Sequence, residues 1–175
     1  WLFMGGTSAG AVTSLTTQYT SQADWSMILP GIQLLLGPVN TSGNNLTHDF
    51  ELRAIYNRWG LVSNVGFDVD DMIPMVAMHG ANDQTVDIDS SANTYGSRVI
   101  YTLLSENNVC ADLSVNPNGG HGIYTGQFNN SRASCFFKSL FCDECVDFYS
   151  EDRINADCST GIISDNQDIS TATST

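Results

Sequence analysis

A serine flanked by glycines near the start of the chain has the pattern of a hydrolytic nucleophile. Residues 6–10 have the sequence GTSAG, a G-x-S-x-G element centred on Ser8 between an apolar run and a helix-like run. On such a sharp strand-to-helix turn the serine hydroxyl is exposed, and glycines two positions before and after it relieve backbone crowding. A five-residue pattern with only three fixed positions occurs by chance in many proteins. The hypothesis that Ser8 is a nucleophile therefore needs partner residues elsewhere in the sequence.

Two further loops contain the residue types that a serine nucleophile needs. Asp83 follows an apolar run at 75–78, and His121 lies in a glycine-rich loop after another apolar run at 111–115. The order serine, acid, histidine suits successive strand ends of one sheet. Three separate loops therefore indicate one chemistry, nucleophilic attack by a serine that a histidine and a carboxylate activate.

Each candidate residue has a competitor in the sequence. Asp83 competes with Asp87 and Asp89 just downstream. Asp83 is preferred because it lies on the loop itself, and Asp87 is the reserve. His79 directly abuts that run, where a histidine more often satisfies local hydrogen bonds than catalyses. His48 lies in a polar segment. We therefore expect His121 to be the general base.

On these residues the chain resembles the alpha/beta-hydrolase superfamily, specifically its secreted carboxylesterase-like and polymer-esterase-like branches. The resemblance covers about residues 2–140. Beyond the serine motif it includes H-G-x-x-D at 79–83, Y-G-S at 95–97 and G-H-G at 120–122. It implies an α/β fold with a mostly parallel sheet and helices on both faces. We expect neither a metal ion nor a cofactor.

The resemblance also implies a role for each site residue. Ser8 Oγ would attack an acyl carbon after His121 removes its proton, and Asp83 would orient the imidazole and stabilise the imidazolium. The main-chain N–H of Ala9, at the positive end of the following helix, would be one donor to the oxyanion.

The function that this mechanism predicts is a serine hydrolase that cleaves carboxylic esters through an acyl-enzyme intermediate. The substrate would be a small-molecule ester or an ester attached to a polymer. Two alternatives stay open, a serine peptidase of the same fold and a non-catalytic binding protein that keeps the hydrolase fold.

The family places its second oxyanion donor, and several strands, well upstream of the nucleophile. We therefore expect these 175 residues to be the C-terminal part of a longer hydrolase domain with little activity in isolation, because losing one donor lowers turnover by about 10²–10³. Residues 1–145 would belong to that domain, and residues 146–175 would form a disulfide-tethered or mobile tail rich in Ser and Thr.

Charge and hydropathy argue against nucleic-acid binding and against a membrane-spanning helix. The formal net charge is −13, with Lys138 as the only lysine, so attraction to a phosphate backbone is absent and nucleic-acid binding is not expected. No run approaches the roughly 20 apolar residues that a membrane-spanning helix needs.

Cysteines and glycosylation sequons indicate a secreted protein or one in the lumen of the secretory pathway. The five cysteines are Cys110, Cys135, Cys142, Cys145 and Cys158. Four of them crowd the last third of the chain, where structural disulfides are favoured over a redox C-x-x-C pair or half of a zinc site. The odd count fits a bridge to an upstream partner or a buried free thiol at Cys110. Sequons occur at 40–42, 45–47 and 129–131.

Periodicity predicts alternating strands and helices. Strands are predicted at 1–4, 54–59, 75–78 and 111–115, and helices at 11–19, 90–107 and 132–141, with an irregular segment at 22–50. Three aromatic residues, Trp25, Trp59 and Phe67, fit either a pocket wall or the core.

Overall fold

The chain folds around a parallel sheet in this computed structural model, which describes residues 1–42, 50–145 and 148–152. In chain order its elements are β1 (Leu2–Thr7), α1 (Ala9–Tyr19), α2 (Gln22–Ile28), α3 (Ile32–Leu36), β2 (Leu52–Arg58), β3 (Leu61–Ser63), β4 (Met75–Gly80), β5 (Ser90–Ser91), β6 (Thr94–Gly96), α4 (Ser97–Glu106), β7 (Ala111–Asn116), α5 (Gly126–Phe141) and β8 (Phe148–Ser150). Single 3₁₀ turns lie at Val39–Thr41 and Val69–Asp71.

The five-stranded sheet has the order β1-β2-β4-β7-β8, and every neighbouring pair in it is parallel. Parallel neighbours need crossover connections, and α1 and α4 lie within two of these. A small antiparallel sheet, β3-β6-β5, lies beside the parallel one. The sheet is therefore mostly parallel, as predicted.

Helices cover both faces of the parallel sheet, and β4 shows the reason most clearly. All six of its residues are buried. Met75 and Ala77 join a core cluster that includes side chains of α1 and α4. Val76 and Met78 join a second cluster with α5. Because successive strand residues point to opposite faces, an unbroken apolar run is what a strand buried on both sides requires.

The prediction of a helix at 90–107 is wrong for its first residues. Residues 90–96 form the β5–β6 hairpin, and α4 begins at Ser97. β6 also pairs with β3, which lies far away in sequence. A Cβ on Gly96 would lie 2.3 Å from the carbonyl oxygens of Asp87 and Asp89. The glycine permits this close packing, and the helix can begin only after it.

The last helix begins earlier than predicted, at Gly126 instead of residue 132. Thr125 is its N-cap, and its hydroxyl accepts a hydrogen bond from Phe128 N. Such a cap satisfies one of the free N–H groups of the first helical turn and fixes where the helix starts.

The sheet continues past residue 145, where the tail was expected to begin. β8 pairs with β7 in parallel, and the Arg98 guanidinium contacts both Tyr149 and Glu151. The remainder of the expected tail lies outside the described residues.

Three of the four described cysteines are in disulfides. Cys110 is bonded to Cys145 across 35 residues of sequence, so the expected alternative of a free thiol at Cys110 is wrong. Cys142 is an exposed free thiol, and it therefore does not form a redox pair with Cys145. Cys135 is also disulfide-bonded. Cys158 lies outside the described residues.

Two further sequence features have structural consequences. Asn129, the acceptor of one sequon, lies in α5 and is only 1% exposed, so the folded protein cannot carry a glycan there. The sequon at 45–47 lies outside the described part of the chain. Of the helices that the structure describes, none is both long and apolar enough to cross a bilayer.

Replacing both Cys110 and Cys145 with alanine should lower the free energy of unfolding by about 4 kcal/mol, because the cross-link between residues 35 positions apart restricts the unfolded chain. Urea denaturation of the oxidised protein and of the double variant measures the difference. Cys142→Ala is the matched control and should leave the midpoint unchanged. Identical midpoints for all three proteins would contradict a structural role for the disulfide.

Candidate active site

Ser8 lies on a sharp turn between the last residue of β1 and the first residue of α1. Its backbone has φ 54° and ψ −119°, and a positive φ is uncommon and strained for a residue with a side chain. The turn is held by two main-chain hydrogen bonds, from Ser8 N to Arg58 O at 2.9 Å and from Val12 N to Ser8 O at 3.0 Å. The serine thus occupies a strained strand-to-helix elbow, as the motif predicted.

The two glycines of the motif have different structural roles. A Cβ on Gly6 would lie 2.3 Å from the carbonyl carbon of Gly10 and 2.7 Å from Ala11 N. A Cβ on Gly10 would meet nothing within 4 Å. The expectation that both glycines relieve crowding therefore holds only for Gly6, which lets the start of α1 return across the end of β1.

Asp83 follows β4 and is buried, with 7% of its surface exposed. Its Oδ1 accepts hydrogen bonds from Thr85 N at 2.9 Å and from Val86 N at 3.0 Å. The reserve candidate, Asp87, is not part of this arrangement. It is exposed, and its side chain accepts instead from Asp89 N.

The acid loop and the histidine loop are joined by main-chain hydrogen bonds. Ala81 N donates to Asn116 O and Asn82 N donates to Gly119 O, both at 2.9 Å. A Cβ on Gly80 would lie 2.4 Å from the carbonyl oxygens of Gly119 and Gly120. The glycine of the H-G-x-x-D pattern is therefore required because the two loops cross in direct contact.

His121 lies between the other two predicted residues. Its Nε2 is 2.9 Å from Ser8 Oγ, and its Nδ1 is 2.8 Å from Asp83 Oδ2. With the Nδ1–H donating to the carboxylate, Nε2 is left to accept the proton of the serine hydroxyl. The structure thus brings together the three side chains that the sequence singled out, and the Trp59 ring lies near the imidazole, with ring centroids 6.3 Å apart.

The pKa of Asp83 is lowered by its hydrogen bonds. Burial is the largest influence and by itself would raise the pKa. It is outweighed by hydrogen bonds from Val86 N, His121 and Thr85 N together with the charge of His121. All of these favour the ionised carboxylate, so Asp83 is an acceptor at neutral pH.

His79 is a second buried partner of Asp83. As expected, its ring satisfies local hydrogen bonds, with Nδ1 at 2.7 Å from Ser97 Oγ and Nε2 at 2.9 Å from Val86 O. Its Nε2 also lies 3.3 Å from Asp83 Oδ2, a contact that sequence reasoning missed. The only signal for it was the four-residue spacing between the histidine and the aspartate.

Burial lowers the pKa of His79, although Val86 O and Asp83 act in the opposite direction. A neutral ring agrees with its surroundings, because Nδ1 can accept a hydrogen bond from the Ser97 hydroxyl while the Nε2–H donates one to the Val86 carbonyl. Asn57 Nδ2 in turn donates to Ser97 Oγ at 3.0 Å. The site carboxylate is therefore supported by a buried polar chain that reaches back to β2.

Ala9 is the first residue of α1, and the Ser8 side chain makes no capping hydrogen bond there. The first N–H groups of a helix have no partner within the helix and carry the positive end of its dipole. The N–H of Ala9 therefore belongs to an electropositive helix start directly beside Ser8.

Comparisons with known proteins find no matching family model and no matching curated protein. Among solved structures, the chain is similar to esterase PE8 (17% identity, TM-score 0.43, covering 82% of this chain and 50% of that chain). It is similar to dipeptidyl peptidase 4 of Porphyromonas gingivalis (12% identity, TM-score 0.45, covering 80% of this chain and 19% of that chain). It is also similar to the acylaminoacyl peptidase of Pyrococcus horikoshii (11% identity, TM-score 0.41, covering 87% of this chain and 25% of that chain). The chain spans half or less of each of these proteins.

Likeness at this level says nothing about mechanism or substrate, and the fold assignment rests on this chain itself. The parallel sheet, the strained serine elbow after β1, the aspartate after β4 and the histidine after β7 occur in the order of an alpha/beta-hydrolase. The described residues form a mostly parallel five-stranded sheet with helices on both faces, as in that fold.

Gly6→Ala should lower the free energy of unfolding by at least about 3 kcal/mol or prevent folding, because its Cβ would overlap backbone atoms that cannot move aside. Gly10→Ala is the matched control and should leave stability unchanged or raise it, since alanine is the better helix former. Thermal and urea denaturation of both variants measure the contrast. Equal losses in the two variants would contradict the close approach at Gly6.

The stability of the protein should fall as the pH decreases below about 6.5, the ordinary pKa of histidine. Because burial lowers the pKa of His79 in the folded state, the unfolded chain binds more protons in the window between that lowered pKa and 6.5. His79→Gln removes this titration and should make the free energy of unfolding less pH-dependent there. Urea denaturation at several pH values tests this, and equal slopes for both proteins would count against a buried neutral His79.

Proposed function

We propose that the protein is a serine hydrolase that cleaves carboxylic esters through an acyl-enzyme intermediate. The observation that carries this proposal is the hydrogen-bonded row from Ser8 Oγ through the His121 ring to the Asp83 carboxylate. A serine hydroxyl is a weak nucleophile unless a base accepts its proton, and this row supplies the base and the group that orients it.

In the first half of the reaction, His121 Nε2 takes the proton of Ser8 as Oγ attacks the acyl carbon of the ester. Asp83 stays ionised and stabilises the imidazolium, without itself taking the proton. The lowered pKa of Asp83 supports this role, because only an ionised carboxylate supplies the negative charge that stabilises the imidazolium.

The tetrahedral intermediate carries a negative charge on the former carbonyl oxygen. We assign the N–H of Ala9 as one donor to this oxyanion, since it lies at the start of α1 next to the nucleophile. As the family resemblance implies, a second donor would come from a segment upstream of the elbow in the whole protein.

The imidazolium of His121 then gives its proton to the departing alcohol, which leaves the acyl group on Ser8. A water molecule repeats the sequence, with His121 again as the base, and releases the acid. Each proton transfer uses the same histidine nitrogen. The substrate would be a small-molecule or polymer-attached ester.

We further propose that the protein acts outside the cell or in the lumen of the secretory pathway. The disulfide between Cys110 and Cys145 supports this, because such bonds persist mainly in oxidising compartments.

Ser8→Ala and His121→Ala should each lower kcat for a short-acyl chromogenic ester by about 10⁴-fold or more in the protein at its full natural length. Both variants should keep the midpoint of thermal unfolding within a few degrees. Ser91→Ala, an exposed serine of β5, is the matched control and should retain full activity. A fluorophosphonate probe should label Ser8 alone, and unchanged ester hydrolysis by Ser8→Ala would disprove the mechanism.

The peptidase and binding alternatives are separated by the substrates that the protein turns over. A peptide or N-acylated amide measured alongside the ester should show the lower kcat/KM. A higher kcat/KM for the amide would make the protein a peptidase, and the absence of both turnover and labelling would make it a binding protein.

A further inference from the structure

A groove runs along the outer side of α1, away from the face that packs on the sheet. Val12, Thr16 and Thr20 recur at intervals of four residues and form one wall of it. The other wall comes from α2, α3 and the turn that follows, with the side chains of Trp25, Leu29, Ile32, Leu36 and Val39. We call this space the α1 groove. Its volume is about 600 Å³, within the range of small-molecule sites.

Two polar groups that line the groove have no partner among the described residues. Thr20 is 6% exposed, and its hydroxyl oxygen is buried without a hydrogen bond there. The Nε2 of Gln22 is buried and unpaired in the same way. Buried polar groups without partners are rare because each loses its water and gains nothing in return. Two of them in one groove indicate that a ligand supplies the missing partner.

The orientation of the Gln22 amide is fixed by the fold. Its Oε1 accepts a hydrogen bond from Val39 N at 2.8 Å, which ties the start of α2 to the turn after α3. The amide nitrogen is therefore the atom of this side chain without a partner, and it can only donate hydrogen bonds. The Thr20 hydroxyl can donate as well, so the group that satisfies both must be an acceptor.

That acceptor must be uncharged. None of the residues that line the groove is Asp, Glu, Lys or Arg, and residues 25–47 contain no such residue although the chain as a whole is strongly acidic. An ionised group placed in this groove would lose its hydration without meeting an opposite charge. A carbonyl oxygen accepts two hydrogen bonds without carrying a charge.

We propose that the α1 groove binds an unbranched alkyl chain that bears an uncharged carbonyl oxygen, with the oxygen at Thr20 and Gln22. The stretch from Val12 to Thr20 is about 12 Å long, which matches an extended chain of about ten carbon atoms. This site does not depend on Ser8, and the inference stands or falls separately from the hydrolase function.

The test uses the full chain and 2-decanone, a ketone that no ester hydrolase cleaves. Titration should change the fluorescence of Trp25 saturably, and Trp25→Phe should remove that change. n-Decane, which lacks the oxygen, and decanoate, which is charged, should each bind at least about tenfold more weakly. Ser8→Ala should bind 2-decanone as the unaltered protein does, which separates this site from the hydrolase proposal.

Two variants test the polar end of the groove. Thr20→Val removes the hydroxyl at almost constant volume, and Gln22→Glu keeps the acceptor for Val39 N but removes the donor. Each should weaken 2-decanone binding about tenfold, while Thr102→Val on α4 leaves it unchanged. Thr20→Val should not lower the midpoint of urea unfolding, because its hydroxyl has no partner to lose.

Several outcomes would overturn the proposal. It fails if 2-decanone produces no saturable signal up to its solubility, or if n-decane binds as tightly as the ketone. It also fails if Thr20→Val destabilises the protein and leaves affinity unchanged, since the hydroxyl would then serve the fold and not a ligand.

Discussion

The site depends on the hydrogen bonds that the buried Asp83 carboxylate accepts. The two oxygens of this carboxylate are approached by Thr85 N and Val86 N from its own loop and by the rings of His121 and His79. A buried charge is tolerated only when it is paired and hydrogen-bonded. This one requirement fixes the acid loop, the histidine loop and the end of β4 relative to one another.

The parallel sheet makes that convergence possible. The carboxyl ends of parallel strands meet at one edge, so residues that follow β1, β4 and β7 come together although they lie far apart in sequence. The side chain of His79 then connects this edge to the buried interior through Ser97 and Asn57. The geometry of the candidate site and the packing of the core therefore share one hydrogen-bonded network, and a change in either would affect the other.

The sequence predicted the sheet and the grouping of Ser8, Asp83 and His121, because apolar runs and the order of polar residues after them are local signals. It did not predict features set by contacts between distant segments. The β5–β6 hairpin depends on Gly96 packing against the Asp87 region, and the unequal roles of Gly6 and Gly10 depend on how α1 crosses β1. Composition and periodicity contain no information about such distances.

α1 serves the site and the rest of the molecule through two different faces. Leu15 and Tyr19 are fully buried on one side, which anchors the helix and with it the strained backbone of Ser8. The opposite face is rich in threonine and leaves the α1 groove open beside an uncharged segment. Because the strain at the elbow needs firm support from its surroundings, the packed face must stay rigid, whereas the face along the α1 groove does not carry this constraint.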